Sequence, residues 1–254
     1  MISKNQIKFI RALELKKNRK KEGLFVAEGP KVTGDLLRAG YIPHSIYSTV
    51  PREDAQLVTD EELRKVSFLQ HPQQVLAVFH IPHHPSPIPH HPSDIRHHPS
   101  PIIPQTSSLA LALDGVQDPG NVGTIIRIAD WFGISTIYCS ADTADVYNPK
   151  VVQATMGSLA HVQMIYCDLV ELLSHVQCPV YGTLLDGEDI YRQELSTEGI
   201  IVMGNEGNGI SPAVRELITH LLLIPNFNAN NETAESLNVA IATAITCSEF
   251  RRRK

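Results

Sequence analysis

The second half of the chain alternates short apolar runs with helical stretches, and this alternation constrains the fold more than any other feature. Six runs have strand character, at residues 109–114, 135–140, 162–166, 180–185, 200–204 and 221–225. Helical stretches separate or follow them, near residues 121–132, 148–159, 168–175, 211–219 and 236–250. Strands that alternate with helices in this way predict an open, mainly parallel sheet that helices cover on both faces.

The stretch at residues 200–239 predicts where a ligand binds on such a sheet. An apolar strand leads into a turn that contains Gly204, Gly207 and Gly209, and a second strand ends at Pro225 before an Asn-rich loop. In open α/β sheets, ligands bind at the carboxyl ends of strands, where glycines allow close backbone approach and helix N-termini offer free N–H groups. We therefore expect this stretch to form the floor of a small-molecule site.

The turn after the first of these strands disfavours two common nucleotide-binding classes. Neither G-x-G-x-x-G after the strand nor G-x-x-x-x-G-K-[ST] anywhere is present, as a dinucleotide-binding domain or a P-loop NTPase would require. Residues 114–127 instead read DGVQDPGNVGTIIR, in which D-P-G is typical of a turn and Asn121 is expected to cap the next helix. Arg127 lies on a narrow polar stripe of this apolar helix. It is predicted either to pair with Asp130 on the surface or to face a phosphate or reacting centre.

The preceding part of the chain predicts a smaller domain and a linker. Short helices and strands at residues 1–80 indicate a small α/β domain, separate from a larger domain at residues 106–254. Between them, within residues 81–105, the heptapeptides HHPSPIP, HHPSDIR and HHPSPII follow one another. Proline at this density predicts a polyproline-II-like or disordered linker rather than a packed core. Binding of Zn or Ni by the histidines is the alternative for this segment.

Charge is distributed unevenly along the chain. Residues 1–31 hold nine Lys or Arg against three Glu, a net charge of +6, so the remainder must carry −11 for the whole chain to reach −5. A basic arm on an acidic body is typical of a protein that binds a polyanion, and a solvated helix face is the alternative. The predicted RNA contacts in this arm are Lys16, Lys17, Arg19, Lys20 and Lys21.

Other features of the sequence predict a cytoplasmic protein without a membrane partner. No apolar run approaches the ~20 residues that span a bilayer. The N-terminus lacks the apolar segment and cleavage site of a signal peptide. The four cysteines have no paired metal spacing, so free thiols and no metal site are expected.

Three segments in order resemble the motifs of the SpoU (TrmH-like) family of RNA ribose 2'-O-methyltransferases, in the SPOUT superfamily. They are D-P-G-N-x-G-x-x-x-R at residues 118–127, G-N-E-G-x-G-I at residues 204–210, and I-P at residues 224–225 with S-L-N-V at residues 236–239. The resemblance implies a trefoil-knotted α/β domain with a parallel sheet, S-adenosylmethionine as cofactor, RNA as partner and a homodimer. Residues 1–80 are similar to the substrate-binding domain of the same family, which has an L30e-like fold.

The resemblance also implies roles for individual residues. The predicted cofactor contacts are Thr183, Leu184, Gly204, Asn205, Gly209, Ile224, Ser236 and Leu237. The predicted catalytic residues are Asn121, Arg127, Glu206, Ser236 and Asn238. Two roles stay open for Arg127, either as the base that activates the hydroxyl or as an electrostatic group for a phosphate or developing alkoxide. The second agrees better with a guanidinium that stays protonated.

The predicted function is therefore S-adenosylmethionine-dependent methyl transfer to a ribose 2'-OH of rRNA or tRNA. A non-catalytic RNA-binding or ribosome-assembly protein on the same scaffold is the alternative, and a metal-handling protein that uses the His repeat is a third. The sequence departs from the family pattern in the loop at residues 226–235, which is longer than is common and lacks glycine, and at Ile128 and Gln74.

Overall fold

The computed structural model of the chain describes residues 2–82, 108–228 and 236–252. The His/Pro repeat and residues 229–235 of the predicted long loop lie outside these ranges. The described residues fall into two compact units, one of residues 2–82 with 145–161 and one of the remainder. Each unit is described by itself below.

Helices and strands follow one another through both units. The first elements are α1 (Lys4–Ala12), α2 (Lys16–Glu22), β1 (Leu24–Glu28), α3 (Pro30–Arg38), β2 (Pro43–Ser48), β3 (Gln56–Leu57), α4 (Asp60–Val66) and β4 (Val75–His80). The later elements are β5 (Leu109–Asp114), α5 (Pro119–Trp131), β6 (Thr136–Cys139), α6 (Pro149–Ala154), β7 (Gln163–Tyr166), α7 (Leu169–His175), β8 (Val180–Asp189), β9 (Gly199–Gly204), α8 (Pro212–Arg215), β10 (His220–Leu223) and α9 (Val239–Arg252). Two short 3-10 turns lie at Ser158–Ala160 and Ile190–Arg192.

Local sequence signals fix several helix ends in the first unit. At the start of α1, Gln6 N donates to Ser3 Oγ (3.2 Å) and Ser3 N donates to Gln6 Oε1 (2.9 Å), which completes a capping box. Thr59 and Glu62 form the same arrangement at α4. Gly23 ends α2 at a φ of +64°, a conformation that glycine adopts without strain.

The first unit is built on a four-stranded sheet in the order β1-β4-β2-β3. Strand β4 runs antiparallel to both β1 and β2. The rings of Phe25 and Phe79 stack in its core at 5.7 Å between centroids, and the ring of Tyr147 lies 4.7 Å from that of Phe25. Residues 145–161, which fall in the range predicted for the larger domain, therefore pack in the first unit. The division at residues 80 and 106 otherwise stays a prediction.

The second unit contains a six-stranded sheet in the order β10-β8-β9-β5-β6-β7. Every strand pair in it is parallel, as the alternation of strands and helices predicts. All six residues of β5 are buried, because helices cover both faces of a parallel sheet. The chain moves from β5 to β6 and β7 on one side, and β8 to β10 fill the other. The carboxyl ends of β5 and β9 are thus the switch point where ligands bind in open α/β sheets.

Helices α5 and α9 pack against each other beside this sheet. Arg251, near the end of α9, donates from Nε to the carbonyl oxygen of Phe132 (2.8 Å), which follows α5. All four cysteines carry free thiols. Within the described ranges, every helix is too short or too polar to cross a bilayer.

Candidate active site

A cavity of about 740 Å³ lies at the carboxyl ends of β8, β9 and β10. Its volume is in the range of sites that bury a small-molecule ligand. All eight predicted cofactor contacts line it, namely Thr183, Leu184, Gly204, Asn205, Gly209, Ile224, Ser236 and Leu237. Six of them lie on or just after β8, β9 and β10, while Ser236 and Leu237 come from the segment before α9. Their contact with a cofactor stays a prediction.

The glycine turn after β9 forms one wall of this cavity. Asn205 and Gly209 exchange backbone hydrogen bonds of 2.9 and 3.0 Å, which closes the turn. Asn205 Oδ1 accepts from the backbone N–H groups of Gly207 (2.9 Å) and Asn208 (3.0 Å). A Cβ at Gly204 would lie 2.3 Å from the carbonyl carbon of Gly209, so only glycine fits there. The backbone of this turn is therefore closely packed at the cavity wall.

A polar chain joins three of the predicted catalytic residues from three parts of the unit. Asn121 donates from Nδ2 to Glu206 Oε1 (2.9 Å), and Asn238 donates from Nδ2 to Asn121 Oδ1 (3.0 Å). Glu206 also lines the cavity, as does Ser236. The cavity and the chain Asn238–Asn121–Glu206 thus share a wall.

The prediction that Asn121 caps α5 is wrong. Asp118 is the cap, and its Oδ1 accepts from the backbone N–H of Asn121 at 2.8 Å. The signal was present in the sequence, because an aspartate followed by proline at the first helical position is a common helix start. With Asp118 as the cap, the Asn121 side chain is available to hydrogen-bond Glu206 and Asn238.

Glu206 is held as an anion in this arrangement. Burial acts to raise the pKa of its carboxyl, but hydrogen bonds from Asn121 and from backbone N–H groups, including those of Gln117 and Asp118, outweigh it and lower the pKa. The two latter bonds measure 3.3 and 3.2 Å. A carboxylate bound by this many donors is a weak base, so its geometry suits positioning rather than proton abstraction.

Asn238 has a second role at the start of α9. Its Oδ1 accepts from the backbone N–H groups of Ala240 (2.9 Å) and Ile241 (3.3 Å), while its Nδ2 serves Asn121. These bonds satisfy two of the free N–H groups in the first turn of the helix. The helix start and the polar chain are therefore held by one side chain.

Arg127 does not contact the hydrogen-bonded side chains of Asn238, Asn121 and Glu206. It lies six residues after Asn121 on α5, or about 9 Å along the helix axis, and it is exposed. Among the residues that the structure describes, none forms a hydrogen bond or ion pair with Arg127, so the predicted alternative of a surface pair with Asp130 is wrong. Its guanidinium is available for a ligand in solution.

Two charged residues at the cavity escaped the sequence analysis. Arg215 of α8 and Asp186 of β8 line the cavity and form an ion pair there. Each is an ordinary surface residue type in the sequence, and nothing in their spacing pairs them. Only the parallel arrangement of β8 and β10, with α8 between them in the chain, brings the two together.

The predicted RNA-binding arm divides into two kinds of residue. Lys16, Lys17, Lys20 and Lys21 are exposed on α2. Arg19 is only 2% exposed, and its guanidinium pairs with Asp145 (2.5 Å) and donates to the carbonyl oxygens of Leu13 and Glu14. The prediction of Arg19 as an RNA contact is therefore wrong, because protein acceptors occupy its donors.

Two family matches cover most of the chain. Residues 108–248 match the SpoU rRNA Methylase family. The chain belongs to this family. Residues 4–77 match the MRM3-like substrate binding domain. The resemblance that the three motifs carry is thus confirmed, and so is the α/β fold with a parallel sheet. The trefoil knot and the L30e-like character of the first unit stay predictions.

Relatives of this SpoU family member span its whole length. It is 29% identical to the 23S rRNA (guanosine(2553)-2'-O)-methyltransferase RlmP of Bacillus subtilis, over 98% of this chain and 97% of that protein. A TrmH-family structure from Porphyromonas gingivalis has 42% identity, covers 100% of both chains and gives a TM-score of 0.84. The AdoMet-bound rRNA methyltransferase of Sinorhizobium meliloti has 31% identity, covers 100% of this chain and 97% of its own, and gives a TM-score of 0.82.

S-adenosylmethionine (AdoMet), the cofactor that the family implies, fits the cavity of this SpoU protein. Apolar side chains such as Leu184, Ile210 and Leu237 can cover the adenine ring. The carboxylates of Asp186 and Glu206 on the wall suit a cofactor that carries a positive sulfonium.

Proposed function

We propose that this protein transfers a methyl group from S-adenosylmethionine to a ribose 2'-OH of rRNA or tRNA. One observation carries the proposal, namely that Glu206 lines the cavity and also accepts the hydrogen bond of Asn121. A ligand in the cavity would therefore lie beside a polar face that holds a second, hydroxyl-bearing substrate. The names of the relatives favour rRNA as that substrate.

The proposed roles follow from the position of each side chain. Bound S-adenosylmethionine supplies an electrophilic methyl group on its sulfonium. Asn121 and Asn238 hold the ribose hydroxyls in register, and Glu206 fixes the orientation of Asn121. Ser236 lines the cavity next to Leu237 and completes the polar face. Alignment of the hydroxyl with the methyl group accounts for much of the rate of such a transfer.

Arg127 acts electrostatically in this proposal. Its exposed guanidinium has no partner among the described residues and carries a positive charge. It binds an RNA phosphate or stabilises the alkoxide that develops when the 2'-OH loses its proton. Water then accepts the proton, because the donors around Glu206 keep that carboxylate a weak base.

The exposed lysines of α2 bind the RNA backbone in the same proposal. Lys16, Lys17, Lys20 and Lys21 lie on one short helix of the unit that matches a substrate-binding domain. Each lysine that neutralises a phosphate releases counterions, which makes the binding of RNA strongly dependent on salt.

We also propose a homodimer, a knotted chain and a cytoplasmic location. Trp131 on α5 is 85% exposed and Ile241 on α9 is 53% exposed, on two helices that pack together. Apolar side chains this exposed favour burial against a second copy. The knot rests on membership of the family. The free thiols of the four cysteines suit a reducing compartment.

The test is methyl transfer from labelled S-adenosylmethionine to unmodified rRNA and tRNA transcripts. We expect label in ribose, in a linkage that resists alkaline hydrolysis. A protein that binds the cofactor and RNA but labels no transcript would instead be a non-catalytic RNA-binding protein on this scaffold. The retained polar chain speaks against that alternative, because RNA binding alone does not need it.

A further inference from the structure

Three aromatic rings form a surface cluster in the first unit. The ring of His44 in β2 lies 6.0 Å from that of Phe9 in α1 and 5.6 Å from that of His80 at the end of β4. Both histidines are exposed, and neither imidazole forms a hydrogen bond or ion pair with any residue that the structure describes. We call these three residues the ring cluster. Next to it, Ile42 is 68% exposed and accepts the backbone N–H of His80.

A β-bulge places His44 in this cluster. In the pairing of β2 with β4, Pro43 faces Phe79 and Ser45 faces Val78, so His44 is the extra residue between two paired positions. A bulge of this kind turns a side chain away from the regular alternation of the strand. Here it brings the imidazole of His44 against that of His80, at 71° between the ring planes.

Positive charge flanks the ring cluster. Lys8 is exposed in α1, next to Phe9 in the chain. The end of α2 lies beside the end of β4, because Gly23 accepts the backbone N–H of Ile81 at 2.8 Å. The two lysines before it, Lys20 and Lys21, therefore lie near the end of the strand that carries His80. Exposed rings beside lysines present both features that single-stranded RNA requires, which are a stacking surface and cations for phosphate.

We propose that the ring cluster binds an unpaired RNA base, which stacks on the imidazoles of His44 and His80 while lysines of α1 and α2 contact the adjoining phosphates. The proposal rests on the proposed RNA substrate and specifies which feature of it the first unit reads. A base in a duplex cannot reach these rings, whereas a base in a loop or bulge can. The ring nitrogens, which have no partner within the described part of the chain, can hydrogen-bond the edge of a neighbouring nucleotide.

Binding of RNA oligonucleotides to the full chain tests the proposal. The probes are a labelled single-stranded oligoadenylate of about 12 nucleotides and a duplex of the same length. The variants are H44Q/H80Q, which removes both rings, and H44F/H80F, which keeps a stacking surface. H71A is the matched control, since His71 is an exposed histidine of the same unit outside the cluster. Thermal unfolding and binding of S-adenosylhomocysteine verify that each variant is folded.

We expect H44Q/H80Q to bind the single strand about 5- to 150-fold more weakly, with the slope of affinity against salt unchanged, because a stacked base is lost and no phosphate contact is. H44F/H80F and H71A should bind nearly as the wild type does, and the duplex should not distinguish the variants. Equal affinity of H44Q/H80Q and wild type, or an equal loss in H44F/H80F, would overturn the proposal. So would a change of molecular mass in H44Q/H80Q without a change in RNA affinity, which would assign the cluster to a protein partner.

Failure of the proposed function has a different signature. A wild-type protein that methylates no RNA and binds neither probe would overturn the RNA methyltransferase itself. A wild-type protein that methylates RNA, with H44Q/H80Q equally active and equally tight, would overturn only the role of the rings.

Discussion

Asn121 donates a hydrogen bond to Glu206 across 2.9 Å, and this bond joins the first turn of α5 to the glycine turn after β9. The two residues are 85 positions apart in the chain. They meet because β5 and β9 are neighbouring parallel strands, with Asp114 opposite Gly204 at their carboxyl ends. Strand order, rather than sequence proximity, therefore assembles the polar face.

Replacement of Asn121 by alanine should slow methyl transfer. The change leaves the Glu206 carboxylate and the Asn238 amide without a shared partner, and a hydrogen bond to a charged group contributes about 1.5–3 kcal/mol. We expect kcat to fall about 10- to 100-fold, as measured by single-turnover transfer of label. Q163A, an exposed change in β7 at the far edge of the sheet, is the control. An N121A enzyme with wild-type kcat would contradict the positioning role.

Replacement of Arg127 by alanine should impair transfer without affecting the cofactor. Arg127 is exposed and is not among the residues around the cavity, so S-adenosylhomocysteine should bind R127A as it binds the wild type. Loss of a group that stabilises developing charge costs about 10²- to 10³-fold in rate. R127K keeps the charge and should recover part of this rate. Calorimetry with S-adenosylhomocysteine measures cofactor binding, and the transfer assay measures the rate. Weaker cofactor binding in R127A would refute a role of Arg127 that is confined to methyl transfer.

Replacement of Gly204 by alanine should destroy the cofactor wall. The new Cβ would lie 2.3 Å from the Gly209 carbonyl carbon, so the turn must shift. Overpacking of this kind lowers the free energy of unfolding by about 1–3 kcal/mol. We expect weaker binding of S-adenosylhomocysteine together with a lower Tm. In the same turn, a Cβ at Gly207 meets only Asn205 Oδ1, at 3.6 Å, so G207A should keep the wild-type Tm. Equal Tm values for G204A and G207A would show that the turn tolerates a side chain.

The lysines of α2 and the arginine among them should respond differently to substitution. We expect a smaller salt dependence of single-stranded RNA binding when glutamine replaces Lys16, Lys17, Lys20 and Lys21. The slope of log affinity against log salt concentration should decrease in magnitude by up to about 3. The expected reason is loss of phosphate contacts, and filter binding over a range of salt measures it. A slope that stays at the wild-type value would exclude α2 from the RNA interface.

R19A should instead lower the free energy of unfolding by about 3 kcal/mol, because it leaves the Asp145 carboxylate without its partner.

Glu28 should make the stability of the protein depend on pH. Burial raises the pKa of its carboxyl above the usual value, against hydrogen bonds from Ser67 and the backbone of Phe68 and the charge of Arg11. A carboxyl whose pKa is higher in the folded state stabilises the fold at acid pH, and this contribution is lost as pH rises through the folded pKa. E28Q should therefore gain stability relative to the wild type between acid and neutral pH. Urea unfolding at several pH values measures the difference, and a constant difference would exclude titration of Glu28.

Much of the second unit was predictable from the sequence, because its strands are continuous apolar runs. Buried parallel strands such as β5 and β9 have this character. The six predicted cofactor contacts on or just after β8, β9 and β10 surround one cavity for the same reason, and Ser236 and Leu237 reach it from the segment before α9. The prediction for α8 was too long: the helix covers only Pro212–Arg215, and proline at its start and turns at its end limit it.

The features that the sequence did not predict depend on partners distant in the chain. The segment KKNRKKE forms helix α2, although an all-polar run lacks the apolar periodicity that predicts a helix. Arg19 within it is buried because Asp145, 126 positions away, accepts hydrogen bonds from its guanidinium. A run of basic residues in the sequence does not indicate which of them is buried against an acidic partner. Likewise, the bulge at His44 depends on the register of β4 and has no signal of its own.

Asn238 bonds both the polar face and the first turn of α9, so the first turn of the helix responds to what occupies the site. Its Oδ1 holds the amide protons of Ala240 and Ile241, while its Nδ2 is bound to Asn121. A substrate that draws the Asn238 side chain away from Asn121 changes the hydrogen bonds of both amide protons together. Their rates of exchange with deuterated solvent should then report occupancy of the polar face, without a label on the RNA or on the cofactor.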